Sequence, residues 1–164
     1  MLKQRLAGLL LALATTTSPA TAAIRPVALE AAGAADFMAD VVAPYLVMQT
    51  ALVNDDVAPV AAAARILQKG ASQLGVEGQA LSAAAAKAAT ARTLEAARAA
   101  FGDVSIALIG YADATRQPVD GKIVAFCPMA NKSWVQSDGP IANPYYGKAM
   151  ATCGSRTRTL PATR

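Results

Sequence analysis

The chain has 164 residues, with 15 Lys and Arg against 11 Asp and Glu, and 54% of its residues are apolar. It contains no histidine, which excludes Ser-His-Asp and Cys-His catalysis, histidine-based zinc sites and imidazole pH switching. The basic residues are scattered and no stripe interleaves them with aromatics, so nucleic acid is not an expected partner.

Lys3 and Arg5 precede an apolar run from Leu6 to Ala14, and the small-residue stretch Ala20-Thr21-Ala22 follows Pro19. This is the layout of a signal peptide: a positive n-region, a short h-region and a cleavage site. The run is about half of the roughly 20 residues a membrane span needs. Residues 1–22 therefore read as a cleaved leader of an exported protein. Losing Lys3 and Arg5 leaves 13 basic residues against 11 acids in the remaining 142 residues, enough for one domain with a real core. No later segment is long and apolar enough to cross a membrane.

Residues 23–33, small and apolar with Pro26 and Gly33, read as a flexible leader. Phe37, Val41, Tyr45, Met48 and Leu52 then fall on one helical face. Pro44 inside this stretch predicts a kink or a split. Val57, Val60, Ala64, Leu67, Ala71 and Leu74 define a second face, with Asp55 or Asp56 as its cap. Residues 79–92 form an alanine-rich third helix, strong in propensity but thin in apolar surface. Leu94, Ala97, Phe101, Val104, Leu108 and Tyr111 mark a fourth, with Thr93 as a plausible N-cap. The fold expected is mainly α: an antiparallel four-helix bundle over residues 34–115.

Composition shifts after Ala114. Residues 116–154 hold four of the nine prolines, the single Trp and both cysteines. They predict a small irregular lobe with one or two short strands, packed on the bundle within the same domain. Ile123 to Met129 alternates like a strand, with Ile123, Ala125, Cys127 and Met129 on one side. Asp138-Gly139 signals a turn, and residues 155–164 read as a disordered tail.

The chemistry-bearing residues lie in this lobe. Cys127 and Met129 are two apart on the expected strand, so their side chains point the same way. Met150 and Cys153 are three apart on an expected helical turn, so they also share a face. Convergence of the two pieces would gather four sulfur atoms, and soft thiolate and thioether ligands select Cu(I) over hard ions. With no histidine or carboxylate in the cluster, zinc and calcium fit poorly. The alternative is a Cys127–Cys153 disulfide, the common fate of two cysteines in an exported protein. Closing a loop of about 27 residues would contribute about 3.5 kcal/mol on the chain-entropy estimate. Other candidates are weaker. Asp55 and Asp56 read as caps before they read as an acid–base pair, and Ser105 has no base to activate it. Trp134, Tyr145 and Tyr146 read as packing between lobe and bundle. An enzyme is not expected, because no activated nucleophile, cofactor loop or acid–base pair is visible.

The segment Cys127-Pro128-Met129-Ala130, the following Trp134, Asn143-Pro144-Tyr145-Tyr146-Gly147, and Met150-x-x-Cys153-Gly154 resembles an uncharacterised bacterial domain family. That family occurs as small secreted proteins and at the C-terminus of periplasmic adaptor subunits of copper/silver efflux pumps. Tyr45 to Asp56, and Leu94 to Ser105 with Arg98, Phe101 and Ser105, are similar to its helices. The resemblance implies a helical bundle and a link to heavy-metal efflux, with components of such a system as partners; the periplasmic location is expected from the signal peptide. It marks Pro128, Trp134, Asn143, Pro144, Tyr145, Gly147 and Gly154 as structural motif positions. The chain departs from the family in its short Asn131-Lys132-Ser133 connection to Trp134 and in lacking histidine. The adaptor barrel and hairpin are not seen in these 164 residues, which are therefore not expected to bridge a pump by themselves.

Overall fold

The computed structural model describes residues 36–163. The expected signal peptide and the leader over 23–33 lie outside the described residues. The Asp36 side chain accepts hydrogen bonds from the N–H groups of Met38 and Ala39 and so starts the first helix. That helix opens as a π-helical stretch, Phe37–Val42, and continues as α1, Ala43–Val53. The register changes next to Pro44, which has no N–H to donate and whose ring crowds a regular α turn. All five residues of the first predicted face are buried.

Helix α2 spans Val60–Ser72, α3 spans Gln79–Ala88 and α4 spans Leu94–Thr115. Thr93 caps α4, with Oγ1 accepting from Ala96 N at 3.1 Å. Consecutive helices pack on one another, and α1 also meets α4. Ala63, Ala64, Ala71, Ala84, Ala85, Ala88 and Ala97 are all buried, so methyl groups form much of the seam and the backbones can approach closely. Asp56 turns the chain into α2 by accepting from Ala58 N at 2.9 Å. Asp55 does something else, described below.

The second half overturns the mainly α expectation. Strands β1 (Lys122–Cys127), β2 (Lys132–Ser137) and β3 (Ser155–Thr159) form an antiparallel sheet in the order β2-β1-β3. Four helices and a three-stranded sheet make a mixed α/β fold, with β2 packed against α4 and touching α1. The signal for β3 is missing from the sequence because Ser155-Arg156-Thr157-Arg158-Thr159 has no apolar side chain and is exposed throughout. Its pairing comes from the free edge of β1, including Thr157 Oγ1 donating to the Val124 carbonyl at 3.0 Å, next to a register shift. Nor do residues 155–163 form a disordered tail. Leu160 is buried, Val119 N donates to Pro161 O at 2.7 Å, and Thr163 bonds to Asp120.

One continuous core joins the helices to the sheet. Phe101, Leu108, Tyr45, Trp134, Val135 and Cys127 belong to the same buried cluster. Polar groups inside it are paired. Tyr45 Oη lies 2.7 Å from Ser105 Oγ and accepts from Val135 N at 2.9 Å, which ties α1, α4 and β2 together. Among the described residues, no buried side-chain nitrogen or oxygen lacks a partner.

Candidate functional site

Cys127 ends β1 and is fully buried. The next four residues, Pro128 to Asn131, form the hairpin turn into β2, closed by Asn131 N donating to Pro128 O at 3.3 Å. Asn131 takes a left-handed φ of 50°, which asparagine tolerates. The second half of the motif packs against this turn. A 3-10 turn spans Gly147–Met150, and Cys153 N donates to the Met150 carbonyl at 3.0 Å. Cys153 is thereby brought to the end of β1, with its Sγ 3.0 Å from Cys127 Sγ.

The two motif pieces hold each other through backbone groups. Buried Asn143 donates from Nδ2 to the Cys153 carbonyl at 2.7 Å and accepts on Oδ1 from the N–H groups of Tyr145 and Tyr146. Tyr146 Oη donates to the Met129 carbonyl at 3.2 Å, and Tyr145 Oη donates to the Ser133 carbonyl. The Tyr145 ring meets Trp134 edge-on at 5.9 Å and Phe101 at 6.0 Å, and Lys132 Nζ sits 5.4 Å from its centroid. Trp134 Nε1 donates to Gln136 Oε1, and Gln136 Nε2 donates to the Pro140 carbonyl at 2.8 Å.

Arg98 on α4 clamps this arrangement to the helices. Its Nε donates to the Pro144 carbonyl at 3.0 Å, and Nη2 donates to the Leu52 carbonyl at 3.2 Å and to Asp55. Asp55 is therefore an ion-pair partner and not the cap of α2. Gly147 has a φ of +54° beneath this pair, and a Cβ there would overlap both the Asp55 carboxylate and the Arg98 guanidinium. Gly154, at φ +130°, lies so close that a Cβ would stand 2.7 Å from Trp134 Cη2 and 2.9 Å from the Phe126 carbonyl oxygen. Both glycines are required by space as well as by conformation.

No family model, curated protein or solved structure matches the chain. The resemblance to the efflux-linked family therefore rests on the motif residues themselves, and their roles are read from this geometry.

The four predicted sulfurs are not equivalent. Both cysteines converge, but Met129 and Met150 are 65% and 36% exposed. β1 stops at Cys127, so Met129 lies on the turn and leaves the side shared by Ile123, Ala125 and Cys127. Pro128 explains this: it cannot donate to a β ladder, and it ends the pairing. Among the described residues, no cluster of three or more histidine, cysteine, aspartate or glutamate side chains is suited to a metal ion.

Burial acts to raise the Cys127 thiol. The hydrogen bond with Cys153, the Ala130 N–H, the Asn143 side chain and the Met129 N–H outweigh it and bring the thiol below its ordinary value. Cys153 moves the opposite way, pushed up by its hydrogen bond to Cys127, by partial burial and by the neighbouring charge. Of the two, Cys127 is the thiol that gives up its proton first.

The separation of 3.0 Å falls between two chemical states. A disulfide requires closure to about 2.05 Å. Two thiolates on a tetrahedral ion with bonds of about 2.3 Å would stand about 3.8 Å apart. Each state lies within about 1 Å of side-chain movement. Arg98, the Tyr45–Ser105 pair and Gln136 do much of the positioning. Sequence reading did not assign them that work, because an isolated Arg, Tyr, Ser or Gln carries no pairing signal in the chain.

Proposed function

We propose that the protein is a periplasmic binder of a soft cation, Cu(I) above all, held between Cys127 and Cys153, and that it serves heavy-metal efflux or resistance. The observation that carries this reading is the contact of two thiols from segments 26 residues apart. Among the described residues, no carboxylate or imidazole cluster competes with the two sulfurs for an ion. Soft thiolates with thioethers at hand select Cu(I) from the divalent hard ions. Met129 and Met150 stand on the two turns that frame the pair and are the third and fourth ligands recruited when the ion binds. The efflux link and the efflux components as partners are supported by the motif resemblance, and the periplasmic location by the signal-peptide pattern of residues 1–22. The role is binding and buffering or handover, not catalysis. Ser105, the one core hydroxyl considered as a nucleophile, is engaged with Tyr45.

The test is an anaerobic Cu(I) competition titration on the reduced protein with a chromophoric chelator. One ion per chain is expected, with binding lost in the Cys127→Ser, Cys153→Ser double variant. A double variant that binds as the parent does would end this reading.

The 3.0 Å approach also favours a second reading, a disulfide-stabilised structural or interaction module without metal. Intact-mass measurement after thiol alkylation of protein isolated from its native compartment decides between them. Two alkylated thiols support the metal reading and none supports the disulfide.

A further inference from the structure

The geometry assigns Cys153 as a thiol–disulfide exchange site for low-molecular-weight thiols and their disulfides, with Cys127 as its resolving thiol. The inference uses the same two sulfurs as the metal reading but no metal, so each can fail without the other.

The two cysteines differ in access. Cys127 has no accessible surface and is packed into the core at the end of β1, whereas Cys153 is partly exposed on the turn before Gly154. Exchange requires an external sulfur to reach one sulfur of the pair, and access decides which. Only Cys153 meets that requirement. Its partner then lies 3.0 Å away, already at the distance from which a second sulfur can attack. A partly exposed thiol beside a buried resolving thiol is an arrangement found in reversible redox sites.

The steps balance with a low-molecular-weight disulfide, R–S–S–R, as oxidant. Cys153, its proton passed to the Cys127 sulfur 3.0 Å away, attacks one sulfur; the bond from Cys153 to S–R forms, the R–S–S–R bond breaks, and R–S⁻ leaves and takes up that proton from Cys127. The Cys127 thiolate then attacks the Cys153 sulfur, forming the Cys127–Cys153 bond and expelling a second R–S⁻. Two electrons pass from the cysteine pair to R–S–S–R, and the two thiol protons end on the two departing R–S⁻ ions. In reverse, an external thiolate attacks Cys153 and Cys127 departs. The departing Cys127 sulfur stays 3.0 Å from Cys153, in position to re-form the bond. Gly154 holds Cys153 at this position, since its backbone sits between the Trp134 ring and the Phe126 carbonyl.

The experiment treats the reduced full chain and two variants with oxidised glutathione and follows them by intact mass and peptide mapping. Cys127→Ser should accumulate one stable adduct, on Cys153. Cys153→Ser should react at Cys127 roughly 100-fold more slowly, because modification must await local opening. Both variants should react at similar rates in denaturant, which verifies that the thiols are intact. The parent, quenched by acid under limiting reagent, should show its transient adduct on Cys153 alone, and this measurement needs no substitution to fold. Comparable rates at the two cysteines in the folded variants would overturn the assignment. So would a transient adduct on Cys127 in the parent, or a Cys127→Ser variant that stays unmodified while folded.

Discussion

Arg98, near the start of α4, donates from Nε to the carbonyl of Pro144 at 3.0 Å and ties the helical layer to the turn that leads to Cys153. The same guanidinium reaches Leu52 O and Asp55, so one side chain joins α4, the end of α1 and the Asn143–Gly147 segment. The position of Cys153 is thus set from the helices as well as from the sheet.

Replacing Arg98 by Ala removes three charge-assisted bonds and leaves the Pro144 carbonyl without its donor, while Leu52 O keeps the Asp55 N–H. A loss of about 2–3 kcal/mol in folding stability is expected from denaturant titration. Arg98→Lys should recover little of it, because an ammonium cannot serve the separated acceptors in one plane. In both variants Cys153 should alkylate faster than in the parent, as its turn loosens.

Gly147→Ala places a side chain where the Asp55–Arg98 pair already sits, at a left-handed φ. A destabilisation of at least about 2 kcal/mol is expected. Gly110 is the control: it lies in α4 with no atom within 4 Å of the added Cβ, so Gly110→Ala should be neutral or stabilising by about 0.5–1 kcal/mol. Equal thermal shifts for the two variants would contradict the close approach at Gly147.

Tyr45→Phe leaves the Val135 N–H buried without an acceptor and should cost about 1–3 kcal/mol. Ser105→Ala keeps that bond, because the Tyr45 oxygen remains, and should cost less. The order of the two urea midpoints checks the geometry.

Burial pushes the Tyr145 phenol up to about 12, and burial also raises Tyr45 well above its ordinary value. Each phenol is thus held protonated in the fold more firmly than in the unfolded chain, where it titrates near 10. The associated stability is fully present below about pH 10 and is lost as pH rises through the folded values. Urea midpoints should therefore fall steeply between about pH 10 and pH 12, and Tyr145→Phe should make that fall shallower. A Tyr145→Phe profile with the parent's slope would contradict the burial argument.

Oxidation and metal should both stabilise the chain, by different laws. A closed Cys127–Cys153 bond adds about 3.5 kcal/mol independent of any ligand concentration. Cu(I) on the reduced protein adds about 4 kcal/mol at a thousandfold excess over its dissociation constant, and the increment grows with the logarithm of free ion. Met150→Leu and Met129→Leu should weaken the Cu(I) increment and leave the oxidised protein's stability within about 1 kcal/mol of the parent.

The amino-acid order alone determined the four helices and their inner faces. A period of 3.6 residues reports burial directly, and Phe37 through Leu52 or Ala97 through Leu108 are buried as that period requires. It also pointed to Cys127 and Cys153, whose sulfurs the fold brings together. The rest was decided by tertiary structure. Strand β3 has no apolar residue, so its existence depends on an open edge of β1 that the sequence does not display. Met129 shares a side with Cys127 only if the strand continues past Pro128, and the hairpin turn removes it. The contact between Cys127 and Cys153 spans 26 residues and depends on Asn143, Arg98 and two crowded glycines. Local pattern encodes which face is apolar, because that is a property of neighbours along the chain. Which sulfurs meet depends on the packing of segments far apart in sequence, and only the folded chain sets it.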